Sequence, residues 1–293
     1  MRTKLLTAAA VALCVTATGL HAQRQLTLMA TVTDPGGAEV AALTPGDIRF
    51  AENGVDGKAL KVEAIDSVPK LQILIDNGVG ISADSLTDLR NGVRGLIEAL
   101  PLTLEVTLVT TAPQPRFLER ATTDHAKLLS AVNRLSPDSG AGRFAESLYE
   151  ATDRIDRDEK GRYTIVAFGT SSGDAQVRES DIQKTVDRVR QRGTTVHVVL
   201  LTSMRGTTGG VVQEELGQLL ANNSRGRFEK IAVANRVATL LPEIGAEVAK
   251  TLGGASRQFR ITVERPNGAS GDLGKMSLGV VGKLVSNVSV ASK

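Results

Sequence analysis

The chain has 293 residues, a formal net charge of +3, one cysteine, six phenylalanines, two tyrosines and no tryptophan. So weak a charge gives no argument for nucleic acid or an acidic surface as a partner, and so few aromatic rings weigh against a stacking site for sugars or bases. The length and a hydrophobic content of 41% allow a core that stands without disulfides.

Taken in chain order, residues 1–22 carry Arg2 and Lys4, an apolar run over 5–15, and a closing stretch that ends on the small residue Ala22. This is the pattern of a secretory signal peptide cut after Ala22, too short and wrongly flanked for a spanning helix. Cys14 follows Leu13, where a lipid-anchored precursor would carry a small residue. The expected mature chain has no cysteine, and its formal charge falls from +3 to +1 when Arg2 and Lys4 leave. No later stretch is long and apolar enough to span a bilayer as a helix. The expectation is a secreted or periplasmic protein without membrane insertion.

From 25 to 66 the pattern alternates in strand fashion, with Leu26, Leu28, Ala30 and Val32 on one face of the first run. Residues 34–37 signal a turn, 47–54 read as a strand closing on Asn53 and Gly54, and 58–65 alternate again. Strands this few and short do not stand alone. Near the other terminus 257–264 alternate, Pro266 to Gly268 turn the chain, and 275–281 and 283–290 read as further strands. The segments 23–69 and 254–293 are therefore expected to close one small β-sandwich.

Between them, over 70–253, strands alternate with helices. Residues 71–76 form an apolar run that reads as a strand buried on both faces. Residues 82–100 place Leu86, Leu89, Val93, Leu96, Ile97 and Leu100 at helical spacing behind Ser82 as N-cap. Residues 104–111 are a second strand and 116–121 a short antiparallel edge. Helices are expected over 123–135, after Gly142 through Ile155, over 179–192 up to Gly193, over 211–221 and over 233–252; strands over 163–168, 195–201 and 226–231. Such alternation predicts an α/β, doubly wound, Rossmann-like sheet flanked by helices.

The corner after the first buried strand, 76–83, admits several chemistries. Gly78, Gly80 and Ala83 fit the G-x-G-x-x-G/A dinucleotide fingerprint, whose glycines let backbone approach a pyrophosphate at a helix N-terminus. Against it, Asp76 aims a carboxylate at the diphosphate position, and the second strand ends without an acid for a ribose. Gly169 to Gly173 match G-x-S-x-G, with Ser171 as nucleophile after a strand. That reaction needs a histidine base, and beyond the signal only His125 and His197 remain, the second at a strand centre where an imidazole is ordinarily a packed core group.

The span also resembles a von Willebrand factor A domain, and the whole mature chain is similar to secreted bacterial proteins in which such a domain lies between β-rich ends. The resemblance rests on residues 32–37 and 43–54 of the lead-in, on 70–80 against the family's first strand and D-x-S-x-S loop, on 139–148 where a G-x-T segment is expected, and on 165–173 where the family writes strand, Thr, Asp, Gly. It implies a metal-ion-dependent adhesion site in which an Asp, two Ser, a Thr and a second Asp hold Mg²⁺ or Mn²⁺. In this sequence Asp76 survives, the serine positions read Gly78 and Gly80, the threonine position Arg143 and the last aspartate position Thr170. A hard cation needs several oxygen ligands, so no bound metal is expected, with a rearranged weak site near Glu146 and Asp174 as the alternative.

What remains is a non-enzymatic protein-binding or scaffold protein that needs no cofactor and does not bind nucleic acid. Its candidate binding face comprises Asp76, Asn77, Gly78, Gly80, Arg143, Thr170 and Ser171. Here Arg143 meets a partner's acid directly, or the corner is an ordinary loop in which Asp76 caps the following helix or pairs with Arg143. A serine hydrolase using Ser171 is the enzymatic alternative. The polar stretch 202–210 is an equally open contact surface.

Overall fold

The computed structural model describes residues 25–36, 38–66, 68–158, 160–173, 177–202, 208–252, 257–269 and 275–291. The expected signal peptide and most of the 202–210 stretch lie outside the described residues.

Alternating apolar residues form β1 (Gln25–Thr33), in which Leu28, Ala30 and Val32 are buried. A single 3₁₀ turn, held by the Asp47 carboxylate accepting from the Thr44 amide and hydroxyl, then leads into β2 (Ile48–Glu52). Asn53 and Gly54, both with positive φ, turn the chain into the two-residue β3 (Val55–Asp56) as the dipeptide predicts. Next comes β4 (Lys58–Asp66), which passes almost directly into β5 (Val68–Ile75).

The central unit runs on through α1 (Ala83–Glu98), β6 (Glu105–Thr110), β7 (Arg116–Thr122), α2 (His125–Arg134) and α3 (Phe144–Arg157). It continues with β8 (Gly161–Thr170), α4 (Glu179–Arg192), β9 (Thr195–Leu201), α5 (Thr208–Ser224), β10 (Phe228–Ile231) and α6 (Val237–Leu252). The strands form one sheet in the order β10-β9-β8-β5-β6-β7, parallel except for β7. Because β5 is central, its side chains are buried on both faces. Leu71, Ile73 and Ile75 join α1, α2 and α6 in one core; Leu74 joins α3, α4 and α5 in the other. The expected doubly wound α/β sheet is present, with β5 starting at Val68, α5 extended at both ends, and α6 preceded by a 3₁₀ turn at Ala234–Arg236.

The chain ends in β11 (Arg257–Glu264), β12 (Met276–Val280) and β13 (Leu284–Ala291). These complete two antiparallel sheets, ordered β13-β1-β11-β4 and β12-β2-β3. Leu28, Ala30, Val32, Phe259, Ile261 and Val263 of the first sheet share a core with Ile48, Phe50 and Val280 of the second. The two ends of the sequence thus make the expected sandwich. A buried ion pair crosses it: Arg265 Nε and Nη2 lie 2.8 and 2.7 Å from the Glu52 carboxylate oxygens.

Two consequences for stability follow. Replacing Arg265 by Met leaves the Glu52 carboxylate buried without its guanidinium and should cost about 3–5 kcal/mol; adding Glu52→Gln should recover much of that loss in urea unfolding. His197, on β9, is buried with Nδ1 accepting from the Arg227 amide at 3.3 Å. Burial first, and then the nearby Arg227 charge, push its pKa down from 6.5 to about 4. Between those values the unfolded chain binds the proton that the native state refuses. Stability should therefore be full above pH 6.5 and fall as pH drops toward 4, by roughly 3 kcal/mol in total. In His197→Leu that slope should flatten.

Candidate functional site

At the carboxyl end of β5 the sheet reverses its winding: the chain leaves toward β6 on one side and returns to β8 on the other, which is where open α/β sheets place ligands. Asp76 follows β5 at this point and is 0% exposed. Its Oδ1 accepts from the Gly78 amide at 2.9 Å. Its Oδ2 accepts from the Thr170 amide at 3.0 Å and from the Thr170 hydroxyl at 2.7 Å. Burial raises the carboxyl pKa above its ordinary value, opposed by the donors on Thr170 and Gly78. One side chain thereby bridges the ends of two neighbouring strands.

The loops around it interlock through backbone. Asn77 donates from Nδ2 to the Ser136 carbonyl at 2.8 Å and accepts at Oδ1 from the Ala112 amide at 3.4 Å. The Val79 amide donates to the Gly140 carbonyl, and the Arg143 amide to that of Thr111. Gly142 lies directly against the Asp76 carboxylate, where a Cβ would fall 2.3–2.5 Å from its atoms. Likewise a Cβ on Gly78 would meet the Gly140 carbonyl oxygen at 2.6 Å, and one on Gly80 the Thr170 hydroxyl at 2.5 Å. The glycines stand where backbone touches backbone or a buried hydroxyl, and serine side chains at 78 and 80 do not fit this packing.

The candidate residues are therefore drawn together, with different roles from those expected. Asp76 neither caps α1 nor pairs with Arg143. The cap is Ser82, whose hydroxyl accepts from the Ser85 amide, and Asp76 lies too deep, with its oxygens turned to Thr170 and Gly78. Arg143 is the N-cap residue of α3; its Nε donates to the Pro113 carbonyl at 3.3 Å and its Nη1 lies 3.9 Å from Glu146. Sequence reasoning missed Gly142 as the wall behind Asp76. Gln213, on α5, was missed too: it is fully buried beside Gly173, and neither amide atom is hydrogen-bonded among the described residues.

Each chemistry can be set against this geometry. For a dinucleotide, the Gly78 amide that a phosphate would use is bonded to Asp76. For acyl transfer, Ser171 is 5% exposed with its amide bonded to Leu201. His197 lies four residues down β9 from Leu201, on the order of 13 Å away. His125 opens α2, which packs on β7, three strands across from β8. Neither imidazole is brought to Ser171. For a divalent cation, no group of three or more His, Cys, Asp or Glu is placed to hold one among the described residues; Asp174 lies outside them. At this corner the buried Asp76 carboxylate already accepts from three donors on Gly78 and Thr170, and Arg143 adds positive charge nearby, so the residues present do not fit a hard cation.

A family model for the von Willebrand factor type A domain matches residues 71–243. Solved structures similar to this chain include the conserved hypothetical protein BatB from Bacteroides thetaiotaomicron, 15% identical with a TM-score of 0.48 over 63% of this chain and 100% of that one. Another is a von Willebrand factor type A protein from Catenulispora acidiphila, at 13% identity and a TM-score of 0.49 over 93% of this chain and 73% of that one. A third, proximal thread matrix protein 1 from the mussel byssus with a zinc-occupied MIDAS motif, aligns at 9% identity and a TM-score of 0.50 over 68% and 49%. No curated protein matches the chain.

The packing at Asp76 makes two substitutions informative. Asp76→Ala strands the Gly78 and Thr170 donors in a buried place and should cost about 2–4 kcal/mol. Gly142→Ala forces a methyl group into the carboxylate and should cost about 1–3 kcal/mol. Both losses should appear in urea unfolding with chelator present.

Proposed function

From the premise that the chain belongs to the von Willebrand factor type A domain family, we propose that it is an exported, non-enzymatic protein-binding or scaffold protein that holds its partner without a bridging metal. The observation that carries this reading is the triple hydrogen bonding of the buried Asp76 carboxylate by Gly78 and Thr170, with Gly142 packed behind it. These contacts engage the carboxylate oxygens that a metal would need, which supports the metal-free reading. Around them Val79 is 58% exposed, its amide bonded to Gly140 three residues before Arg143, whose side chain is 38% exposed. An apolar tip beside a guanidinium suits a protein partner that brings an acidic side chain into competition with Glu146 for Arg143. Export rests on the signal pattern of residues 1–22, and among the described residues no helix is long and apolar enough to cross a membrane.

Thermal unfolding with Mg²⁺ or Mn²⁺ tests the metal-free reading. At roughly 100 times its dissociation constant a bound ion adds about 2.7 kcal/mol, a shift easily seen. The expected melting temperature is the same with ion and with chelator; a rise that disappears in Asp76→Ala contradicts the proposal. For the binding face, affinity capture from the native secretion medium should lose its partner in Arg143→Glu. Unchanged capture removes Arg143 from the interface.

A further inference from the structure

The six-stranded sheet has two open edges, and they differ in how their charges are used. On β10, Glu229 pairs with Arg227 at 2.7 Å and Lys230 with Glu214 at 2.7 Å, so that edge is neutralised within the fold. On β7, Glu119 is engaged by Arg134 at 3.6 Å, while Arg116 and Arg120 form no ion pair among the described residues. Both are exposed, and among the described residues β7 is paired with β6 alone. Between them sits Phe117, 43% exposed and the one exposed aromatic side chain among the described residues. Two guanidinium groups approach its ring, that of Arg120 at 4.7 Å from the centroid and that of Arg154 at 5.2 Å. Arg154 is in turn fixed by the Gln72 carbonyl oxygen at 2.9 Å and by Glu150 at 3.5 Å.

Cations on an edge strand are a common defence against unwanted pairing. That explains Arg116 and Arg120, but it does not explain an exposed phenylalanine in contact with two arginines in a chain so poor in aromatic residues. A rigid aromatic ring flanked by arginine is the composition that concentrates binding energy at protein interfaces. A second copy of this chain is a poor occupant, because antiparallel pairing of β7 with itself brings four unneutralised arginines onto one seam. We propose that the free edge of β7 docks an extended acidic segment of a partner protein, which adds to the sheet as a further strand. Main-chain hydrogen bonds supply the pairing, Arg116 and Arg120 select for carboxylates, and Phe117 receives an apolar side chain between them.

The test is amide hydrogen exchange on the full chain with two synthetic strand peptides, one alternating Glu with Val and the other Lys with Val. The acidic peptide should protect residues 116–122, less so at high salt, and the basic peptide should not. The double variant Arg116→Glu, Arg120→Glu should weaken the acidic peptide by roughly tenfold or more and admit the basic one. Phe117→Ser should weaken binding without reversing the preference, and Arg143→Glu should leave it unchanged, which separates this edge from the face around Val79. All these positions are exposed or partly so, and an unchanged melting temperature verifies that each variant is folded. The proposal is overturned if the acidic peptide gives no protection on β7, if both peptides protect alike, or if protection rises with protein concentration alone.

Discussion

A carboxylate sealed away from water must find its hydrogen-bond donors inside the protein, and the upper end of this sheet is arranged around how Asp76 does so. Its oxygens take the amide of Gly78, two residues on, and both the amide and hydroxyl of Thr170, ninety-four residues on. Leaving these donors unmet in the interior is costly. The chain must therefore bring the end of β8 beside the end of β5, as the parallel pairing of Ile75 with Phe168 does. It must also admit a third loop close enough for Gly142 to rest on the carboxylate. What resembles the remains of an ion site in sequence is, in three dimensions, a joint in which a buried carboxylate accepts from donors on Gly78 and Thr170.

Much of the fold is legible from local pattern because each element carries a local cause. The run Leu71 to Ile75 reads as a strand with no solvent face, and its side chains divide between two cores. Ser82 reads as a cap and accepts the Ser85 amide. Asn53 and Gly54 read as a tight turn and adopt positive φ. His197 reads as a packed strand-centre imidazole and is 3% exposed. The pairing of both termini in one sandwich is a longer inference. It follows from the fact that neither set of strands has enough partners alone.

The site was less legible, because its contacts join residues far apart in sequence. Thr170 looks like a lost aspartate ligand when aligned against a family pattern; nothing local shows that its hydroxyl points at Asp76. Gly78 and Gly80 look like lost serines, yet their missing side chains are what let the loops meet. Arg143 falls near a ligand position by counting, and in space its side chain turns to Pro113 and Glu146. Gly142 stands in a stretch already marked by glycines, but which of them would face a carboxylate depends on how the loop before α3 crosses the sheet. The edge cluster at Phe117 had no motif at all and becomes visible only when α3 brings Arg154 across β6.

Two surfaces thus emerge with different physics: an upper face closed by internal hydrogen bonds, and a sheet edge whose Arg116 and Arg120 form no ion pair among the described residues and lie beside an exposed ring. The closed corner is the more fundamental, since metal dependence and loop geometry both hang on it. A crystal grown with Mn²⁺ and measured at the manganese edge addresses it most directly. The expected anomalous map has no peak at coordination distance from Asp76, with the Thr170 hydroxyl still bonded to the carboxylate. A peak bound to Asp76, with Thr170 turned away, would contradict the account.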